Sequence, residues 1–275
     1  MKRFAIVAAA LAACLSSFAQ SAQDFKDRYE RQVRMLGLSG VGVETILDRW
    51  EAAFPEDGDM LEARFNFYTS KAASSSVVEK DSPRYLGNKP MVSLKDSLGR
   101  NVNYFEVTEY VDSLFSRGQS AISRAISLYP QELVYRIDKI TSLMAYEKES
   151  PDLAYAELER MIDLHASSHP VWTYGGGTAS EEDFISIVQE YCHGFYSIDT
   201  PNGYEFFRMA SEKMNRLYPR NSMFVSNLGS YWFVGKGNLK KALSCYRKAL
   251  KINPDDEAAA KNIKILEKKM AAAKK

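Results

Sequence analysis

Apolar residues recur every three to four positions through most of this chain, and the runs come in twos. Phe25, Tyr29, Val33 and Leu36 form one stripe; Ile46, Trp50 and Phe54 form the next, across the glycines of GLSGVG. Such spacing puts the apolar side chains on one face of a helix, so each stripe predicts an amphipathic helix that needs a neighbour. Leu61, Phe65, Tyr68 and Ala72 predict another, with a longer partner through Val107, Val111, Leu114, Ala121, Ala125 and Leu128. Leu133, Ile137, Ile140 and Met144 pair with Ala154, Leu158, Met161 and His165 around the turn Glu149-Ser150-Pro151-Asp152. Phe184, Ile187, Tyr191 and Phe195 pair with Tyr204, Phe207, Ser211, Met214 and Leu217. A stop signal recurs as AFPED (53–57), LYPQE (128–132), LYPRN (217–221) and INPDD (252–256). In each, proline cannot continue a helix and pushes its predecessor out of helical geometry.

The clearest pair is NLGSYWFVGKGNLKKALSCYRKALKINPDD, 227–256. Val225, Leu228, Gly229 and Trp232, then Ala242, Tyr246 and Pro254, follow the spacing of the two helices of a tetratricopeptide repeat, which this stretch resembles. Gly229 and Ala242 are small where two helices cross, and Leu228, Trp232 and Tyr246 fill the space between them. One residue too many lies between Trp232 and Ala242, and the expected place for it is the turn Gly235-Lys236-Gly237-Asn238. The resemblance is specific for the copy at 221–254; upstream, periodicity, stops and order carry it. It implies an all-α, right-handed solenoid of about five helix pairs, each near the ~34 residues of this repeat class. Ala259, Ile263, Leu266 and Met270 on one face of 255–275 predict a closing helix with a wet lysine face.

Two stretches interrupt the period and divide the chain into helices at 20–73, an insertion at 74–105, and repeats over 106–254. The insertion is rich in Ser, Gly, Pro and Asn, and MVSL with NVNYF around KDSLGR predicts a small β-hairpin. ASSHPVWTYGGGTAS (166–180) separates two further pairs. Long loops on a rigid scaffold are where function tends to sit, and at least as often they are simply accepted insertions.

Residues 1–19 read as a secretory leader, with Lys2 and Arg3 before an apolar run from Phe4 to Leu15 and small residues at Ser17 and Ala19. Leu11-Ala12-Ala13-Cys14 resembles a lipobox, so lipidation of Cys14 and an outer-membrane tether is the alternative to a free periplasmic protein. Apolar residues make up 45% of the 275, which supports a packed core. Lys+Arg 36 against Asp+Glu 35 argues against a dominant polyanion-binding surface, hence no nucleic acid. No later run is long enough to span a bilayer. Beyond the leader, Cys192 and Cys245 read as small buried hydrophobes.

Candidate chemistry is sparse. Gly175-Gly176-Gly177-Thr178 lacks the lysine of a phosphate loop, and the acids Glu181, Glu182 and Asp183 that follow would repel a phosphate. Ser180 with Asp183 reads as a capping box. His165 and His169 have a metal-sharing spacing, but Pro170 ends the helix and no carboxylate completes the set. Cys192 and His193 are neighbours, about 100° apart on a helix, and do not form a dyad. The lysines 261, 264, 268, 269, 274 and 275 read as a solvated helix face. No catalytic residue, cofactor or metal is assigned.

The repeat resemblance implies a protein-interaction module, with a peptide or helix held by the first helix of each pair. In the best copy the groove-facing candidates are Met223, Ser226, Asn227, Ser230 and Phe233. The expectation is an exported adaptor, not an enzyme. The alternatives are a lipid-tethered structural component, or a small-molecule or enzymatic site built from the 74–105 and 166–180 loops.

Overall fold

The computed structural model describes residues 21–272. The leader, with Cys14, and the terminal Lys274 and Lys275 lie outside the described residues. The chain is mostly helical with a few short strands, and it divides into two compact units.

The first unit takes the described residues up to Ala73 together with Tyr110–Pro130. It holds α1 (Ala22–Leu36), α2 (Val43–Ala53), α3 (Gly58–Ala72) and α4 (Asp112–Leu128). A Ser21–Asp24 capping box starts α1, satisfying backbone N–H groups that have no partner within the helix. Phe25 stacks on Trp50 with ring centroids 6.5 Å apart, and Tyr29 tilts against the same ring at 6.2 Å. The buried indole N–H donates to Asp57 Oδ2 at 3.1 Å. Val107 was expected on the helix that became α4, but it lies in a strand, and α4 starts only at Asp112. The period changes from four to two across Tyr110, where alternating β-branched and aromatic residues favour extended backbone.

The second unit takes Ser74–Glu109 and the described residues from Gln131 onward. The insertion forms a three-stranded sheet, β1 (Ala73–Lys80), β2 (Val92–Lys95) and β3 (Asn101–Tyr110), with β3 in the centre. The expected hairpin is β2 with β3, antiparallel with Val92 opposite Tyr104; β1 is a third strand that its Ser-rich start concealed. Asn103, Phe105 and Val107 alternate inward, as a half-buried strand requires. Then follow α5 (Leu133–Glu147), α6 (Asp152–Ser168), a ribbon of β4 (Thr173–Tyr174) and β5 (Gly177–Thr178), and α7 (Glu181–Ser197). The unit continues with α8 (Pro201–Leu217), α9 (Ser222–Ser230), α10 (Leu239–Ile252) and α11 (Glu257–Ala272). Helices α5 with α6, α7 with α8 and α9 with α10 pack as pairs; α8 also packs on α6 and α9, and α11 closes on α10. Val225, Ala242, Tyr246, Ala249, Ala259 and Leu266 form one buried cluster across α9, α10 and α11. Cys192 is buried and Cys245 half-buried, both as free thiols.

The four stop signals fold into four similar corners. Helices α2, α4, α8 and α10 end at Ala53, Leu128, Leu217 and Ile252. The next residues, Phe54, Tyr129, Tyr218 and Asn253, have φ of −138°, −125°, −124° and −130°. Proline follows each, because the residue before proline is driven out of the helical region. Two residues beyond each proline a side chain caps the next helix. Asp57 accepts from Asp59 N at 2.9 Å, Glu132 from Val134 N at 3.5 Å, Asn221 from Met223 N at 3.0 Å and Asp256 from Ala259 N at 2.9 Å.

The surplus residue before Ala242 is not in the turn where it was expected. Tyr231–Gly235 is one π-helical turn, closed by Lys236 N donating to Tyr231 O at 3.2 Å. A π turn absorbs one extra residue without ending the helix. It lets Tyr231 stay buried and Trp232 and Phe233 stay against the core, so the helix face does accept the insertion.

Candidate functional site

Helices α5 and α7 are the first members of consecutive pairs, and an open groove of about 540 Å³ lies along them. Ile137, Thr141, Met144 and Ala145 line it from α5, and Ile187, Glu190, Tyr191 and Gly194 from α7. Both sets follow the three-to-four spacing of a single helix face. Ile198, just past α7, and Tyr174, on the ribbon, complete the lining. Met144 occupies the space a side chain at 194 would need, since a Cβ there would meet its Cε at 2.9 Å. Glycine at 194 therefore lets the thioether fill the floor of the groove.

Tyr191 ties the two helices together. Its hydroxyl donates to Ile137 O at 2.9 Å and lies 3.1 Å from Thr141 Oγ1. Burial raises its pKa well above the usual tyrosine value. Beside it on α5, Asp138 is held in a desolvated position that pushes its pKa up to about 6. An acid kept near neutrality by burial is frequent at binding and catalytic sites. Exposed Glu190 adds a second carboxylate to the rim.

The two insertions reach opposite ends of α5. At its N-terminal end, Thr173 N donates to Gln131 O at 2.9 Å and Thr173 Oγ1 to Glu132 Oε2 at 2.7 Å. Trp172, 3% exposed, anchors that ribbon. Its ring stacks on Phe184 at 6.0 Å, and its N–H donates to His165 Nδ1 at 3.0 Å. At the C-terminal end, Lys148 pairs with Glu109 at 2.7 Å. Gly87, with φ +75°, lies so close to α7 that a Cβ would stand 1.9 Å from Ser197 O, so only glycine fits. Leu86 and Lys148 have positive φ as well, conformations that a non-glycine residue holds only when its surroundings impose them.

The five groove candidates of the last repeat are not one open surface. Met223 is exposed, at 37%. Ser226 donates to Asp256 Oδ2 at 3.0 Å, and Ser230 meets Tyr246 Oη at 2.9 Å. Phe233 packs on the buried cluster beneath Lys269, whose Nζ is 5.2 Å from the ring centroid. Asn227 is buried; it donates to Gln189 Oε1 at 2.8 Å and to Ser211 Oγ at 3.2 Å. It thus joins α9 to α7 and α8. The α5–α7 groove was legible only in part: Ile137, Met144, Ile187 and Tyr191 marked helix faces, but nothing local separated groove-lining from core.

His165 does not share a ligand with His169. Its Nδ1 accepts from Trp172, so Nε2 carries the proton and faces Tyr218 Oη at 2.7 Å. The ring stacks on Phe184 with centroids 3.9 Å apart. His169 caps α6 in a left-handed conformation. Gly175 and Gly176 turn the ribbon with positive φ, and the Ser180–Asp183 capping box starts α7. Among the described residues no helix is long and apolar enough to cross a membrane. The chain matches no protein-family model and no curated protein sequence.

Proposed function

We propose that the chain is an exported scaffold of the tetratricopeptide type that holds an extended segment of a partner protein in the groove along α5 and α7. The carrying observation is that groove itself: two first helices present an apolar floor, and both interruptions of the repeat lie at the ends of α5. A functionless insertion has no need to sit there. The apolar lining with Asp138 and Glu190 beside it suits a segment of apolar residues carrying a basic one.

The solenoid reading draws support from the repeated corners and from how they join. Within the first unit, the corner residue Tyr129 donates through its hydroxyl to Glu56 O, in the preceding corner, at 2.7 Å. Within the second, the corner residue Tyr218 reaches His165, on the last turn of α6, at 2.7 Å. Successive pairs of one array would make such contacts between neighbouring helix ends.

The test is an affinity capture from envelope extracts with the mature protein, beside Ile187→Arg and Thr141→Arg variants. Enrichment of the same protein by wild type and its loss in both variants supports the reading. Equal capture by both variants, or no capture by wild type, overturns it. The mass of the mature N-terminus in the same material separates cleavage after Ala19 from a lipidated Cys14.

A further inference from the structure

A second cavity, in the first unit, has a different character. It is about 450 Å³ and open, between α2, α3 and α4, lined by Asp48 and Glu51, by Arg64 and Tyr68, and by Arg117 and Arg124. Arg64 is the unusual member, because its side chain is 7% exposed. Its Nε and Nη2 are used: both donate to Glu51 Oε2, at 3.0 and 2.8 Å, and Nη2 also to Asp48 Oδ1 at 2.7 Å. Its Nη1 is buried and has no hydrogen-bond partner in the protein. A buried guanidinium nitrogen without an acceptor is costly, because its desolvation is uncompensated. The Arg117 guanidinium lies over the Tyr68 ring, 4.1 Å from its centroid, at the wall of the cavity. Arg124 is only loosely paired, 4.0 Å from Glu51 Oε1. Three guanidinium groups thus converge, one with an unfilled buried donor.

We infer that this cavity binds a carboxylate, with the Arg64 Nη1 donor, Arg117 and Arg124 as its ligands. Charge selects the class. Three arginines against Asp48 and Glu51 leave one net positive charge, which matches a monoanionic carboxylate and not a phosphate dianion. Geometry agrees, since the planar guanidinium fork fits a carboxylate with two parallel hydrogen bonds. Size adds a constraint. A water takes about 30 Å³ of liquid volume, so the cavity has room for the organic frame that carries the carboxylate. That frame is either a small free organic acid or an acidic side chain of a partner. The site is independent of the α5–α7 groove.

Amide-resolved NMR titrations of the mature chain test this, with sodium chloride at matched ionic strength as the reference. The probes are acetate, butyrate, inorganic phosphate and a blocked tripeptide with a central glutamate. Saturable shifts confined to α2, α3 and α4, with a dissociation constant on the order of 1 mM or tighter, are expected for at least one carboxylate. Arg117→Ala and Arg124→Ala, at exposed positions, should each weaken it about fivefold or more. Butyrate binding more tightly than the blocked peptide assigns the site to a free acid, and the reverse order to a partner's side chain. No saturable shift from any carboxylate, tighter binding of phosphate, or binding unchanged in both arginine variants would overturn the inference and leave the Arg64 donor to water. Arg64→Met is a useful third variant only if its NMR spectrum stays dispersed.

Discussion

Gly229 lies against the ring of Tyr246, so close that a Cβ at 229 would stand 2.8 Å from Cε1 and 2.9 Å from Cδ1 and Cζ. The contact holds α9 against α10, and Tyr246 is itself 1% exposed. Gly229→Ala should therefore destabilise the protein by about 1–3 kcal/mol, although alanine is the better helix former. Urea denaturation checks the sign. Adding Tyr246→Leu should recover part of the loss, because the double variant removes the ring that the methyl meets. Additive losses would show that the two positions do not touch.

The four proline corners rank themselves. Asp57→Ala, Asn221→Ala and Asp256→Ala each remove a helix cap, at about 0.5–2 kcal/mol. Asp57 should be the most costly, because it also accepts from the buried Trp50 indole, which would be left unpaired. Glu132→Ala should cost least, since its cap bond is long at 3.5 Å. Thermal melts of the four variants in one buffer give the order, and a Glu132 variant as damaging as the Asp57 variant would contradict this account.

His165 makes stability depend on pH in one direction. Burial holds its pKa below the ordinary 6.5, against the opposing pull of Glu181, and nearby His169 lowers it further. Below about pH 6.5 the unfolded chain therefore binds more protons at this position than the folded one. The neutral ring's contribution is present above that pH and is lost as pH falls through the folded value. Protonation would also put a proton where Nδ1 accepts from Trp172. Urea midpoints from pH 7.5 to 5 should fall for wild type, and His165→Gln should flatten that limb.

Asp138 acts in the opposite sense. Its folded pKa of about 6 stands above the ordinary aspartate value of 3.8, so between those values the folded state holds the extra proton. The ionised carboxylate weakens the fold as pH rises through about 6. Asp138→Asn should stabilise the protein at pH 7 by roughly 1–2 kcal/mol, allowing for the solvent that still reaches the group. If the groove binds a basic segment, the same variant should bind it less well. Greater stability with weaker capture of the partner is the combination expected of a site residue.

The sequence by itself determined the helices, their order in pairs and where they stop. Those depend on local causes: the apolar stripe of a helix face, the proline that ends it, and the short polar side chain two residues on that caps the next. Pro55, Pro130, Pro219 and Pro254 could be read this way because a proline acts on its immediate neighbours alone. Tertiary structure decided what no local pattern contains. The surplus residue before Ala242 went into a π turn because Tyr231, Trp232 and Phe233 had to keep their places against the core. The Ser-rich start of β1 became a strand because strand pairing joins residues far apart in sequence. Asn227, legible as a groove residue, was turned inward by Gln189 and Ser211, which lie on other helices. The α5–α7 groove and the Arg64 cavity are both spaces left between helices, and a space is fixed only when its walls have packed.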